Sequence, residues 1–84
     1  MYKVLIERYA LKQIQKLDQK AIPQIKLAIR QLAQNPRPNG YIKLKGEEAY
    51  RIRVGDFRII YEIKDKILTI LVVDVGHRKD IYRF

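Results

Sequence analysis

Tyr50-Arg51-Ile52-Arg53-Val54-Gly55-Asp56-Phe57-Arg58-Ile59-Ile60-Tyr61 reads as two strands and the turn that joins them. Its β-branched and aromatic residues suit extended backbone, and Gly55-Asp56 suits a two-residue type II′ hairpin loop, in which glycine takes the positive φ of the first turn position. A loop of that length fixes the register. Val54 then faces Phe57, Arg53 faces Arg58, Ile52 faces Ile59, Arg51 faces Ile60 and Tyr50 faces Tyr61. Side chains alternate along a strand, so Tyr50, Ile52, Ile59 and Tyr61 share one face while Arg51, Arg53 and Arg58 share the other. The first face needs a covering layer, and the second carries a cluster of positive charge.

Downstream, Phe57 to Ile63 and Ile67 to Val75 are strands separated by Lys64-Asp65-Lys66, which completes an antiparallel meander. Ile67-Leu68-Thr69-Ile70-Leu71-Val72-Val73-Asp74-Val75 is almost unbroken in its apolar character and predicts a strand covered on both faces. Gly76 ends it, and the tail His77-Arg78-Lys79-Asp80-Ile81-Tyr82-Arg83-Phe84 either packs back on the body or lines a groove. Upstream, Pro36 to Gly40 is a loop rich in breakers, Tyr41 to Leu44 is a candidate for the sheet, and Lys45 to Glu48 is polar.

The covering layer comes from the first half of the chain. Met1 to Ile6 reads as a short first strand. Ala10, Leu11, Ile14 and Leu17 then recur at helical steps, which predicts a helix from about Glu7 to Leu17 with Lys12, Gln13, Gln15 and Lys16 outside. Asp18 interrupts the pattern. Ile22, Ile25, Ala28, Ile29 and Leu32 form the stripe of a second helix, Pro23 fits its first turn, and Asn35-Pro36 ends it. The fold class is α+β, one small domain over residues 1–84 in the order β-α-α-β-β-β, with a two-helix hairpin packed on an antiparallel-meander sheet.

A chain of 84 residues buries only roughly 60 to 65% of its unfolded surface, enough for one core and not two. Apolar residues at 48% argue against disorder. Neither a membrane-spanning run nor a signal-peptide core is present in the sequence, and a cytoplasmic location is expected. With no cysteine and one histidine, the chain has no disulfide and no usual zinc or iron ligand cluster, so neither a structural metal nor a cofactor is expected. Eighteen Lys and Arg against nine Asp and Glu leave a net charge of +9, a field that favours polyanions such as nucleic acid.

Two arginines opposed across neighbouring strands repel by a few tenths to about 1 kcal/mol, and a bound anion would relieve the strain. Arg53 and Arg58 therefore read either as a phosphate cradle, to which planar guanidinium forks are well matched, or as a solvated face whose arginines splay or pair with Glu62.

Leu44-Lys45-Gly46, Tyr50-Arg51-Ile52-Arg53-Val54, Phe57-Arg58-Ile59-Ile60-Tyr61 and Gly76-His77-Arg78-Lys79-Asp80-Ile81-Tyr82, in that order, resemble the RelE branch of the RelE/ParE toxins over essentially the whole chain. The resemblance implies a toxin of a type II toxin–antitoxin pair. It also implies a metal-independent endoribonuclease that enters the ribosomal A site and makes the 2′-hydroxyl of the messenger attack the adjacent phosphate. Such a reaction needs help in removing the 2′ proton, positive charge on the phosphorane-like transition state, and a proton for the departing 5′-oxygen.

By this resemblance Arg53 and Arg58 serve the phosphate, and Arg78 stabilises or protonates the leaving group. Tyr82 orients or stacks on a base or transfers a proton, while Lys45 and Arg51 contact RNA. Arg51 and Arg53 stand where RelE itself has lysines, and arginine is a poor base, so the general base is left unassigned; Tyr82, whose spacing from Arg78 is shorter than in RelE, is the best remaining candidate. His77 points away from Arg78 if the strand continues, and Asp74 reads as a structural carboxylate met by backbone or arginine. Tyr9, Tyr41, Tyr50 and Tyr61 read as core or rim aromatics.

The implied partners are an acidic or amphipathic RelB-like antitoxin, the ribosome and its mRNA, and operator DNA only through the toxin–antitoxin complex; no membrane is involved. Two other readings stay open. One is a ParE-like toxin that binds gyrase, and the other is a catalytically weak relative that mainly binds its antitoxin.

Overall fold

A computed structural model describes residues 1–46 and 48–80. The elements are β1 (Lys3–Ile6), α1 (Arg8–Gln15), α2 (Ile22–Gln34), β2 (Ile42–Lys43), β3 (Tyr50–Val54), β4 (Phe57–Lys64) and β5 (Thr69–His77). The strands form one five-stranded sheet in the order β1-β5-β4-β3-β2. The two helices cover one face of it, with Ala10, Ile14, Ile25, Ile29 and Leu32 packed on Ile52, Ile59, Tyr61, Ile70, Val72 and Val75. The expected fold class holds, and no helix among the described residues is long and apolar enough to cross a membrane.

The hairpin register is the one its two-residue loop dictates, from Val54 opposite Phe57 out to Tyr50 opposite Tyr61. Gly55 takes φ +59° and Asp56 is not in the positive-φ region, as a type II′ loop requires. Elements outside the hairpin depart from expectation in detail. Ile67 belongs to a short 3-10 turn, Asp65–Ile67, and Leu68 adopts φ 47°, so β5 begins at Thr69 and runs past Gly76 to His77. β1 pairs with β5 in parallel. Tyr41 to Leu44 contributes only the two residues of β2.

A bulge disturbs the β4–β5 pairing: Ile60 faces Asp74 while Tyr61 faces Val72. The extra residue, Val73, joins a second, smaller cluster with Ile60 and Ala49, flanked by Leu44 and Leu71, on the face away from the helices. That cluster anchors the turn between β2 and β3 to the second face of the sheet.

Tyr61 is fully buried and donates its hydroxyl hydrogen to the Pro36 carbonyl at 2.6 Å, tying the loop after α2 to the sheet. Burial pushes its phenol up to about 12 from the usual 10. A raised phenol favours the protonated folded state. The contribution is whole below pH 10 and is lost as pH climbs from 10 to 12, about 2 to 3 kcal/mol in the limit. Urea melts of Tyr61→Phe should show a lower stability at pH 7, by about 1 kcal/mol, and a shallower decline above pH 10 than wild type.

Candidate functional site

The face away from the helices carries the basic residues because strand alternation leaves them nowhere else to go. The pairings Arg53 with Arg58 and Arg58 with Gly76 form one row across β3, β4 and β5, and Arg51, Ile60 and Asp74 form the next. Leu44 and Ala49, packed on Ile60 and Val73, hold the Lys45 turn to the same face. Lys45 and Arg53 are exposed and Arg51 is half-buried.

Arg58 differs from its neighbours in being only 5% exposed. Its Nη2 donates to Asp74 Oδ1 at 2.9 Å, and its Nη1 donates to the His77 carbonyl oxygen at 2.6 Å. Its Nε is buried and has no hydrogen-bond partner among the described residues. The repulsion expected between Arg53 and Arg58 is thus relieved from within: the anion beside Arg58 is the carboxylate of Asp74, also 5% exposed. The open two-arginine cradle is corrected to one exposed guanidinium beside a buried ion pair, because a charge taken out of water needs a counter-charge. Glu62, the other candidate counter-ion, pairs with Lys64 at 3.0 Å.

Asp74 has a second neighbour in Gln13 of α1. β1 covers the outer edge of β5 only as far as Val72, which leaves later backbone groups of that edge in need of partners. The Val75 N–H donates to Gln13 Oε1 at 2.8 Å, and Gln13 Nε2 lies 3.5 Å from Asp74 Oδ1 as donor. Gln13, expected on the outer side of its helix, is instead half-buried against β5. Gly76 is also part of the arrangement, since a Cβ there would lie 2.8 Å from Arg58 Nη1. Neither residue carried a sequence signal beyond its type.

Arg78 follows β5 directly and is held to the tip of the β3–β4 hairpin. Its N–H donates to the Asp56 carbonyl at 2.8 Å, and its Nη2 lies 3.9 Å from Asp56 Oδ1. Its side chain remains 45% exposed. The same hairpin tip therefore gathers Arg53, Arg58 and Arg78. His77 pairs with Phe57 and meets its ring edge-on at 6.0 Å, on the opposite side of the strand from Arg58. Its Nδ1 accepts the Lys79 N–H at 3.2 Å, which leaves that nitrogen engaged. Tyr82 lies outside the described residues.

A groove of about 550 Å³ opens between α2 and the β2–β3 edge, lined by Leu27, Ala28, Ile42, Ile52 and Val54 together with Arg51 and Arg53. β2 pairs with β3 only at Tyr50 and Arg51, so among the described residues no strand continues beside Ile52 to Val54.

Comparison with known proteins agrees with this architecture. The profile described as the ParE toxin of the type II toxin–antitoxin system, parDE, matches residues 4–82. A RelE-like toxin protein of Escherichia coli is 37% identical over 87 aligned positions, covering 96% of this chain and 90% of that one. Among solved structures, the toxin in the archaeal RelE–RelB complex of Pyrococcus horikoshii superposes with a TM-score of 0.83 at 28% identity, covering 95% of this chain and 98% of that one. The intact E. coli RelBE toxin–antitoxin complex gives 0.81 at 25% identity, covering 95% of this chain and 100% of the other. The chain belongs to the RelE/ParE superfamily of type II toxin–antitoxin toxins, as a RelE-like member.

Proposed function

We infer that this toxin cleaves messenger RNA in the ribosomal A site by driving the 2′-hydroxyl against the adjacent phosphorus. The observation that carries the reading is the gathering of Arg51, Arg53 and Arg78, with the Lys45 turn, around one hairpin and one sheet face. Such a surface binds a phosphodiester backbone and stabilises the extra negative charge of a phosphorane.

In the reaction, the 2′-oxygen forms a bond to phosphorus as its proton leaves, and the bond to the 5′-oxygen breaks as that oxygen takes a proton. Arg53, exposed on β3, holds the phosphate, and Arg78 meets the departing oxygen. Arginine stays protonated at neutral pH and cannot serve as the base. By the family resemblance that task falls to Tyr82, which lies outside the described residues. Lys45 and Arg51 hold the flanking backbone. The partner that keeps the toxin silent is an acidic or amphipathic RelB-like antitoxin, and operator DNA is bound only by the two together.

The test is to map cleavage of mRNA on translating ribosomes. Wild type should cut within the A-site codon, Arg78→Ala and Arg53→Ala should each lower the single-turnover rate about 10² to 10³-fold, and a 2′-deoxy nucleotide at the scissile position should abolish the cut. Intact message, with gyrase-dependent DNA breaks accumulating in its place, would overturn the reading in favour of a ParE-like activity.

A further inference from the structure

We propose that Arg58 is not a phosphate ligand in this protein but a positioning residue, locked by Asp74 and Gln13, that acts through Arg78. For its kinetic arm the proposal rests on the nuclease reading above. An arginine that grips a phosphate presents two N–H groups along one edge of its guanidinium plane. Arg58 has no such edge to offer. Nη2 spends one N–H on Asp74 and Nη1 one on the His77 carbonyl, Nε is buried, and at 5% exposure the remaining N–H groups are closed off from solution. Its charge is balanced at 2.9 Å by a carboxylate as buried as itself, so what reaches solution from the pair is closer to a dipole than to a cation.

What the pair does have is a grip on the segment that carries Arg78. The Arg58 Nη1 bond of 2.6 Å ends on the carbonyl of His77, the residue whose peptide bond leads directly to Arg78. From the other side, the Arg78 N–H is held by the Asp56 carbonyl in the hairpin turn only two residues before Arg58. The chain leaving β5 is thereby fixed at both groups of the His77–Arg78 peptide. Gln13 completes the lock from α1, fastening the Val75 backbone and the Asp74 carboxylate together. A shift of about 1 Å in a catalytic group costs on the order of 10²-fold in rate, so a distant anchor of this kind is expected to matter to turnover.

The experiment is a double-mutant cycle that spares the fold. Removing Arg58 alone would strand Asp74, so both are replaced in Arg58→Met with Asp74→Leu, a pairing that fills the space without burying a charge. In single-turnover cleavage on programmed ribosomes, that variant should lose 10-fold or more in rate at saturation, with the half-saturating toxin concentration within about threefold of wild type. Added to Arg78→Ala, it should lower the rate by less than about threefold more, since its effect passes through Arg78. Losses that multiply would show that Arg58 contacts the substrate independently and would overturn the proposal.

The second readout needs no activity. Hydrogen exchange at the Arg78 amide should accelerate at least 10-fold in the Met/Leu variant while core amides of β4 keep their protection. Unchanged Arg78 exchange would also overturn the proposal. If wild type leaves message uncut, the nuclease reading fails, and the exchange result still decides whether Arg58 positions the segment.

Discussion

Arg58→Ala should destabilise the protein by about 3 to 5 kcal/mol, enough to leave a large fraction unfolded at 37 °C. The figure follows from what would be left behind. Asp74 would keep its buried position with the 3.5 Å contact to Gln13 as its one remaining side-chain partner among the described residues, and a carboxylate in that state either forces water into the sheet or must protonate. A domain of this length has a total stability of about 4 to 12 kcal/mol on the usual per-residue scale, so the loss is a major part of the whole. Urea denaturation followed by circular dichroism should therefore show a midpoint far below wild type. The paired change Arg58→Met with Asp74→Leu should recover most of it, to within about 2 kcal/mol, because well-packed apolar side chains replace a buried ion pair at little cost. A melt of Arg58→Ala that matched wild type would mean that the guanidinium is solvated and that the lock on Arg78 does not exist. By contrast, Arg53→Ala, which removes an exposed side chain on the same row, should change stability by no more than about 0.5 kcal/mol while affecting cleavage strongly.

The contrast between two arginines on one row also marks how far the sequence could be read. Periodicity and a two-residue turn give the face, the register and the opposition of Arg53 to Arg58, because each depends only on local geometry. Which arginine keeps its charge in solution depends on β5, and there the local rules run out. Asp74 faces Ile60 and reaches Arg58 only because a bulge absorbs Val73, and a run such as Leu71-Val72-Val73-Asp74-Val75 carries no mark of where a bulge falls. Gln13 was hidden for a similar reason. It sits among Lys12, Gln15 and Lys16 on what a helical wheel makes the wet side, and its burial follows from β1 ending at Val72 and leaving an edge to cover. The groove beside β3 likewise depends on β2 being only two residues long, which the breakers before Tyr41 suggest but do not measure. That Asp74 is a structural carboxylate in need of a partner was within reach from residue type, and that His77 turns away from the basic face was within reach from alternation.

Gly76→Ala is expected to cost about 2 to 3 kcal/mol, a large effect for one methyl group on a strand that imposes no special φ at this position. Backbone strain is not the cause. An added Cβ would stand 2.8 Å from Arg58 Nη1, with the Asp80 carboxylate at 3.4 Å on the other side. Against a free arginine this contact would be trivial, because the end of a flexible side chain can swing away. Here the guanidinium is held by Asp74 and by the His77 carbonyl and is closed off from solvent, so any swing breaks a charge-assisted hydrogen bond in a buried setting. The cost should therefore depend on Arg58. In the Arg58→Met, Asp74→Leu background, where the neighbour is an adaptable thioether chain, Gly76→Ala should cost less than about 1 kcal/mol. Chemical denaturation of the four proteins measures the coupling directly. An equal penalty in both backgrounds would place the clash with the backbone and remove the guanidinium from the explanation. A penalty confined to the Arg58 background would explain why the residue joining the central row of the sheet to His77 and Arg78 has no side chain: the space a Cβ would take is occupied by the arginine that holds them.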